Sequence, residues 1–414
     1  MENKLTYPLS NFVFVNYFWL ISITAILHVI TGVGWLTTLL FPIVIFICLV
    51  RSREPISLNH IDILWICSFV WMMATWTYNS YDHKPILIFR CFISQIAYML
   101  TYWISRRNSD DYIGSIIKNS YYPLIFVSII GLYCFALRPS WYVNMVSMTM
   151  EATNTELSSM NLLEAFRLRS VFDSPYELAY FGAITIVFEI FLLIKSSEIN
   201  VRNHVSLLLL LSVVVLCTMM RAPISCTIIG FFLSIIWGYI YLTDSKILET
   251  FLSVLVISIL VILVIQQVAG DSFSYLTYKF DSVSSESSLL SDRLFLQEAD
   301  YSWFGDGVGR HSIDASKFEG GAPMLDGEYM KMIQEQGFIG LFIFFLLVVF
   351  SLIKAIRHYK YLYFEFWLIL MLLICMVGAN ALSTGDKHPF IFWLAFGQIS
   401  RFVAPQEQNM EFDI

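Results

Sequence analysis

Arg221 is the only charged residue in the run from Val205 to Leu242, which is otherwise apolar or weakly polar. A cation held in apolar surroundings is costly unless an anion meets it, so such a residue is read first as functional. Its other reading is an anchor that snorkels to the surface. No acidic residue lies near it in the sequence, which leaves room for an anionic ligand. Further arginines stand in two long polar stretches, about 138–175 and 268–337: Arg167 and Arg169 in the first, Arg293 and Arg310 in the second. A guanidinium group is planar, always charged and able to bind two phosphate oxygens at once, so this set fits a phosphate-bearing substrate.

The second stretch adds groups that could move protons. It holds Gly305-Asp306-Gly307-Val308-Gly309-Arg310-His311, then Asp326-Gly327-Glu328-Tyr329 and Glu335-Gln336-Gly337-Phe338-Ile339-Gly340. The glycine cluster has the wrong spacing for a dinucleotide motif and follows no strand pattern; it reads as a tight loop that orients Arg310 and His311. Asp326 and Glu328 could serve as a general base toward a hydroxyl group. They could equally be ordinary first-turn acids of a helix, and His311 a satisfied polar side chain. Trp141, Tyr142, Tyr275, Tyr278, Tyr301, Trp303 and Tyr329 suit sugar rings, and they also suit a membrane interface.

These residues must be positioned by membrane helices. The chain has 414 residues, 57% hydrophobic and 14% charged, where soluble domains carry about 25% charged residues. That composition excludes a soluble globular protein and gives no basic surface for nucleic acid; the net charge of −7 matters less than where charges fall. The seven cysteines all lie in apolar segments without C-x-x-C spacing, so they read as small apolar fillers. No small-residue cleavage site follows the first apolar run, which is expected to stay as an anchor. About twelve runs reach membrane length: Phe12–Thr31, Gly34–Val50, Ile61–Tyr78, Ile86–Ile104, Tyr121–Leu137, Tyr176–Ile194, Val205–Met220, Pro223–Leu242, Phe251–Val268, Phe338–Ile356, Phe364–Leu382 and His388–Val403. Only Gly32 and Val33 join the first two, so one long kinked helix is also open. Val205–Leu242 as a single straight helix would be about 57 Å long against a hydrocarbon core of about 30 Å, so it must reverse, and Arg221-Ala222-Pro223 is the expected turn.

With the N-terminus inside, thirteen Lys and Arg residues fall in inner segments and four in short outer loops, the favoured sense. Both termini are then cytoplasmic, and Arg221 and the two polar stretches lie outside. The chain reads as a single all-α polytopic domain, 1–414, with two outer insertions. The first ends in Ser174-Pro175-Tyr176-Glu177, a capping box with proline at the first helical position. Before it, Leu157, Met160, Leu163 and Phe166 recur at helical spacing and suggest a surface helix holding Arg167 and Arg169 near the headgroup plane. Glu189 is expected to snorkel near Lys195.

In three places the chain resembles the bacterial O-antigen polymerase (Wzy-type) and O-antigen ligase superfamily. Arg169-Ser170-Val171-Phe172-Asp173-Ser174-Pro175 is similar to its arginine, glycine-rich turn and proline helix start, with Ser170 where glycine is usual. Thr218-Met219-Met220-Arg221-Ala222 is similar to its Thr-x-Ser-Arg-Gly turn, with Met220 and Ala222 replacing Ser and Gly. The segment from Asp292-Arg293 to Gly340 is similar to its arginine, glycine turn and closing Glu-x-Gly motif, and Arg310 to Gly321 fits its Arg-x10-Gly pattern. The resemblance implies a GT-C-like glycosyltransferase that joins oligosaccharide units carried on undecaprenyl diphosphate at the periplasmic face of the inner membrane. Inversion is expected, without metal or cofactor. Arg169, Arg221, Arg293 and Arg310 would hold the diphosphate, and Glu328, Asp326 or His311 would act as base. The implied partners are the lipid-linked donor and acceptor, membrane lipids and a chain-length regulator. Leu325-Asp326-Gly327-Glu328 lacks the histidine that ligases carry there, which favours polymerase over ligase. A flippase or transporter is the alternative from another class.

Overall fold

In a bilayer each backbone polar group must be satisfied within the protein, which leaves helices for a chain of this hydropathy. The computed structural model describes residues 15–31, 35–51, 57–78, 89, 91–107, 111–144, 168–172, 174–195, 201–241, 302–311, 327–378, 381–382 and 388–403. Among these residues the chain is helical, with no strand. In order come α1 (Tyr17–Thr31), α2 (Trp35–Arg51), α3 (His60–Tyr78), a π-turn (Phe92–Ile96), α4 (Ala97–Met99), α5 (Thr101–Arg107), α6 (Tyr112–Leu137), α7 (Pro175–Lys195), α8 (Val201–Cys217), α9 (Arg221–Tyr241), α10 (Glu328–Arg357), α11 (Tyr359–Gly378) and α12 (Pro389–Arg401).

Among the described residues, five helices are long and apolar enough to cross a membrane: α6, α7, α9, α10 and α11. Stretches of α1 and α8 are apolar but shorter. Fewer spans than the expected twelve therefore meet that standard among the described residues. The expected span Phe251–Val268 and the surface helix before Arg169 lie outside them. The first two apolar runs form separate helices, α1 and α2. The expected fourth span is, where described, an irregular π-to-α segment rather than one straight helix.

Local chemistry sets the helix ends. Asp111 caps α6 by accepting from Gly114 N–H at 3.0 Å, and Arg138 closes it in the left-handed region at φ 47°. α7 starts at Pro175 as expected, with Ser174 Oγ accepting from Tyr176 N–H at 3.1 Å. The reversal between α8 and α9 comes earlier than expected, at Thr218–Met220. Met219 takes φ 56°, and its N–H closes the turn on Leu216 O at 3.0 Å. Pro223 falls in the first turn of α9, where no intrahelical N–H partner is lost.

α9 and α11 run antiparallel. The Cys226 and Cys375 thiols touch at 3.6 Å, and the Trp367 indole faces Cys226 O at 3.4 Å. The Ser234 and Tyr363 hydroxyls then bond at 2.5 Å. This register sets Arg221 level with the end of α11. At the other end of the bundle, fully buried Asp62 ties three helices together, its own α3 with α5 and α12. Its carboxylate accepts from Tyr102 Oη, from Arg106 Nε at 2.9 Å, from Ser400 Oγ at 2.8 Å and from Asn59 N–H at 2.9 Å. Lys354 Nζ joins by donating to Ser400 O at 2.7 Å. All seven cysteines are free thiols, and all but Cys67 are buried, in keeping with their reading as fillers.

Candidate functional site

Two arginine-bearing turns meet at the Arg221 end. Residues 168–172 form a turn closed by Phe172 N–H on Arg169 O at 3.2 Å. Leu168 N–H donates to Cys217 O, the last residue of α8, at 3.1 Å. The turn carrying Arg169 is thus bonded directly to the turn that leads into Arg221. Ser170 adopts φ 58° and donates from Oγ to Val127 O of α6 at 2.6 Å. Gly131, one turn further along α6, leaves room for the loop, since a β-carbon there would lie 2.9 Å from the Leu168 side chain. Tyr142 is fully buried and its hydroxyl hydrogen bonds to the Arg169 backbone; burial raises its pKa while the nearby guanidinium opposes that shift. Arg169 is buried and Arg221 half-buried.

The second feature is a break in α10. Gly337 has φ 69° and ψ −177°, a conformation that divides the helix. Residues 338–357 match α11 in length, twenty residues each, so Gly337 is level with the end of α11. Yet Tyr329, eight residues earlier, donates from its hydroxyl to Leu373 O at 3.0 Å, more than a turn back from that end. The segment 328–336 therefore folds back across the end of the bundle rather than rising from it. Every residue of this half-helix except Tyr329 and Ile333 is buried, including Glu328, Lys331, Gln334, Glu335 and Gln336. Irregular backbone at membrane depth needs partners from elsewhere in the protein.

The glycine loop supplies them. Asp306 N–H donates to Gln334 O at 2.7 Å and Gly307 N–H to Glu335 O at 2.9 Å. In return, Phe338 N–H donates to Ser302 O and Ile339 N–H to Trp303 O, both at 3.3 Å. The Trp71 indole of α3 covers Gln336 O at 2.8 Å. Loop and helix lie backbone to backbone, so Gly305 at φ 74° has no room for a β-carbon, which would sit 2.5 Å from Gly337 N. The glycine cluster forms the expected tight loop, and it carries Arg310 and His311: His311 N–H donates to Glu335 Oε1 at 2.9 Å, and its Nε2 is 3.7 Å from Asp306 Oδ2.

Glu328 is buried, and its Oε2 accepts from Leu382 N–H at 2.9 Å. It lines a small cavity with Gln95, Met332, Glu335, Leu382 and Trp393. Arg310 is half-buried on the glycine loop. Arg293 and Asp326 lie outside the described residues. Sequence reading passed over Lys331 and Glu335, whose Nζ and Oε1 stand 3.9 Å apart. The spacing Glu328, Lys331, Glu335 ahead of Gly337 was the available signal, since it puts three charges on one face of a helix that ends at a glycine. It also passed over His388, fully buried and stacked on Tyr180 with ring centroids 3.9 Å apart. Glu189 does not snorkel: it is fully buried and bonded to His204 Nδ1 of α8, because α7 turns that face inward.

Chemically, this end of the bundle offers guanidinium groups on two linked turns, and carboxylates on a half-helix across the same end. Comparison with protein-family models, with curated proteins and with solved structures finds no match.

Proposed function

We propose that this protein is a polymerase of surface polysaccharide, joining oligosaccharide repeat units carried on undecaprenyl diphosphate at the periplasmic face of a bacterial inner membrane. The observation that carries the reading is the bond from Leu168 N–H to Cys217 O, which couples the Arg169 turn to the Arg221 turn. In the proposed reaction a hydroxyl of the acceptor sugar attacks the anomeric carbon of the donor. The bond from that carbon to the diphosphate oxygen breaks, the lipid diphosphate leaves from the opposite face, and the hydroxyl proton passes to a base. The leaving group gains charge as the bond breaks, and arginines already in place stabilise it without reorganisation. Arg169 and Arg221, with Arg293 and Arg310, take this role. Glu328, Asp326 and His311 remain the bases proposed from sequence, and the buried Glu335 beside Glu328 joins them.

The test is complementation of a deletion strain, read by gel profile of its lipopolysaccharide. Arg221→Ala and Arg293→Ala should leave single repeat units and no ladder while the protein still inserts. Loss of one such donor lowers rate by about 10²–10³-fold. Full ladders from both variants would overturn the assignment. Polymerised glycan retained on undecaprenyl diphosphate in the deletion strain would point to the ligase. Transport of the lipid-linked unit is a second reading, favoured by Glu189, which is buried within the spanning helix α7 and bonded to His204 of the neighbouring α8, since buried ionisable groups at such depth mark proton and substrate paths. Accumulation of unflipped units on the inner leaflet would select it.

A further inference from the structure

Trp303 and Phe304 are 68% and 64% exposed, on a loop that has little freedom to move. Bonds from Phe338 N–H to Ser302 O and from Ile339 N–H to Trp303 O hold the backbone on one side, and Gly305 is pressed against residues 335–337 on the other. The Trp303 ring meets Phe338 with centroids 5.8 Å apart, and the Phe304 ring meets Trp71 at 5.9 Å. Phe338 opens the straight part of α10, residues 338–357, which is about 30 Å long and so matches the hydrocarbon layer. Along it, Phe338, Phe342 and Phe345 are exposed at helical spacing, and Lys354 and Arg357 stand at the far end. That stripe faces acyl chains if α10 spans, and Trp303 and Phe304 continue it at the boundary.

We propose that Trp303 and Phe304 form a wedge seated in the headgroup–acyl boundary of the phospholipid bilayer. Tryptophan settles at that level because its flat apolar body meets acyl chains while its indole N–H stays hydrated, and the Phe304 ring beside it adds apolar area on the acyl side. The stiff loop passes this depth on to Arg310 and His311, seven and eight residues after Trp303, and so holds them at the level of lipid phosphates. The inference concerns where the loop sits in the membrane and stands whether or not the protein polymerises glycans.

The experiment uses the full chain in vesicles of phosphatidylcholine and phosphatidylglycerol. Trp303→Cys, in a Cys67→Ser background, is labelled with an environment-sensitive fluorophore. Spin-labelled lipids then quench it from the headgroup, from the upper acyl chain and from mid-chain. Headgroup and upper-chain labels should remove most of the signal, and mid-chain labels and aqueous iodide little of it. Phe304→Cys provides the same reading where Trp303→Cys fails to fold. Strong iodide quenching with no lipid quenching, strongest quenching from mid-chain, or protection from every quencher would each overturn the proposal; the last would mean that protein covers the wedge.

Discussion

Gly337→Ala tests whether the break in α10 builds the site. The wild-type residue sits at φ 69° and ψ −177°, a region open almost only to glycine, and an L-residue there is strained by about 1–3 kcal/mol. Its β-carbon would also collide with the Trp303 carbonyl and approach Phe304 N to 2.6 Å. These are backbone atoms, so the whole glycine loop has to move. Four backbone hydrogen bonds cross this junction, each contributing about 0.5–1.5 kcal/mol. Losing half of them together with the strain gives about 2–6 kcal/mol, or roughly thirtyfold to twenty-thousandfold in the equilibrium between docked and undocked loop. Limited proteolysis of the purified protein in detergent reads that equilibrium as cleavage near residues 302–311, and the lipopolysaccharide ladder reads function. The variant should be cut much faster and give a shortened ladder, whereas Phe342→Leu, at an exposed position of α10, should match the wild type in both. Wild-type proteolysis and a full ladder from Gly337→Ala would refute the claim that this glycine positions the loop.

Ser170→Val places a β-branched side chain at φ 58° and removes the bond to Val127 O; strain of about 1–3 kcal/mol should free the Arg169 turn, lowering Tm and shortening the ladder, while Ser170→Gly loses the same bond but relieves the backbone strain and should stay nearer wild type in both. Asp62→Ala leaves Arg106 without its carboxylate at the far end of the bundle, and a loss of about 3–5 kcal/mol should show as a large fall in Tm. A double-mutant cycle of Glu189→Gln and His204→Phe should return a coupling of about 0.5–3 kcal/mol in thermal unfolding, and strict additivity would show that the contact contributes nothing.

What was legible in the sequence follows from short-range rules. Apolar runs long enough to cross a bilayer announced a helical membrane protein. Ser174-Pro175 announced the start of α7, because capping chemistry is local. A reversal within Val205–Leu242 was foreseen, with the turn expected at Arg221-Ala222-Pro223, since 38 residues with one charge cannot run straight through a bilayer. Its register was missed by a few residues because Met219 entered the left-handed region without a glycine to mark it. The glycine cluster was readable as a tight loop, but not its partner. Only the tertiary structure decided that Gly337 breaks α10 and that this loop satisfies the broken ends, because those hydrogen bonds join residues about thirty positions apart. Likewise, Glu189 near a lysine reads as exposed until packing turns its face of α7 toward His204. A sequence states which groups are present and how they recur along one helix; which faces meet, and therefore which charges are buried together, is set by packing between helices distant in the chain.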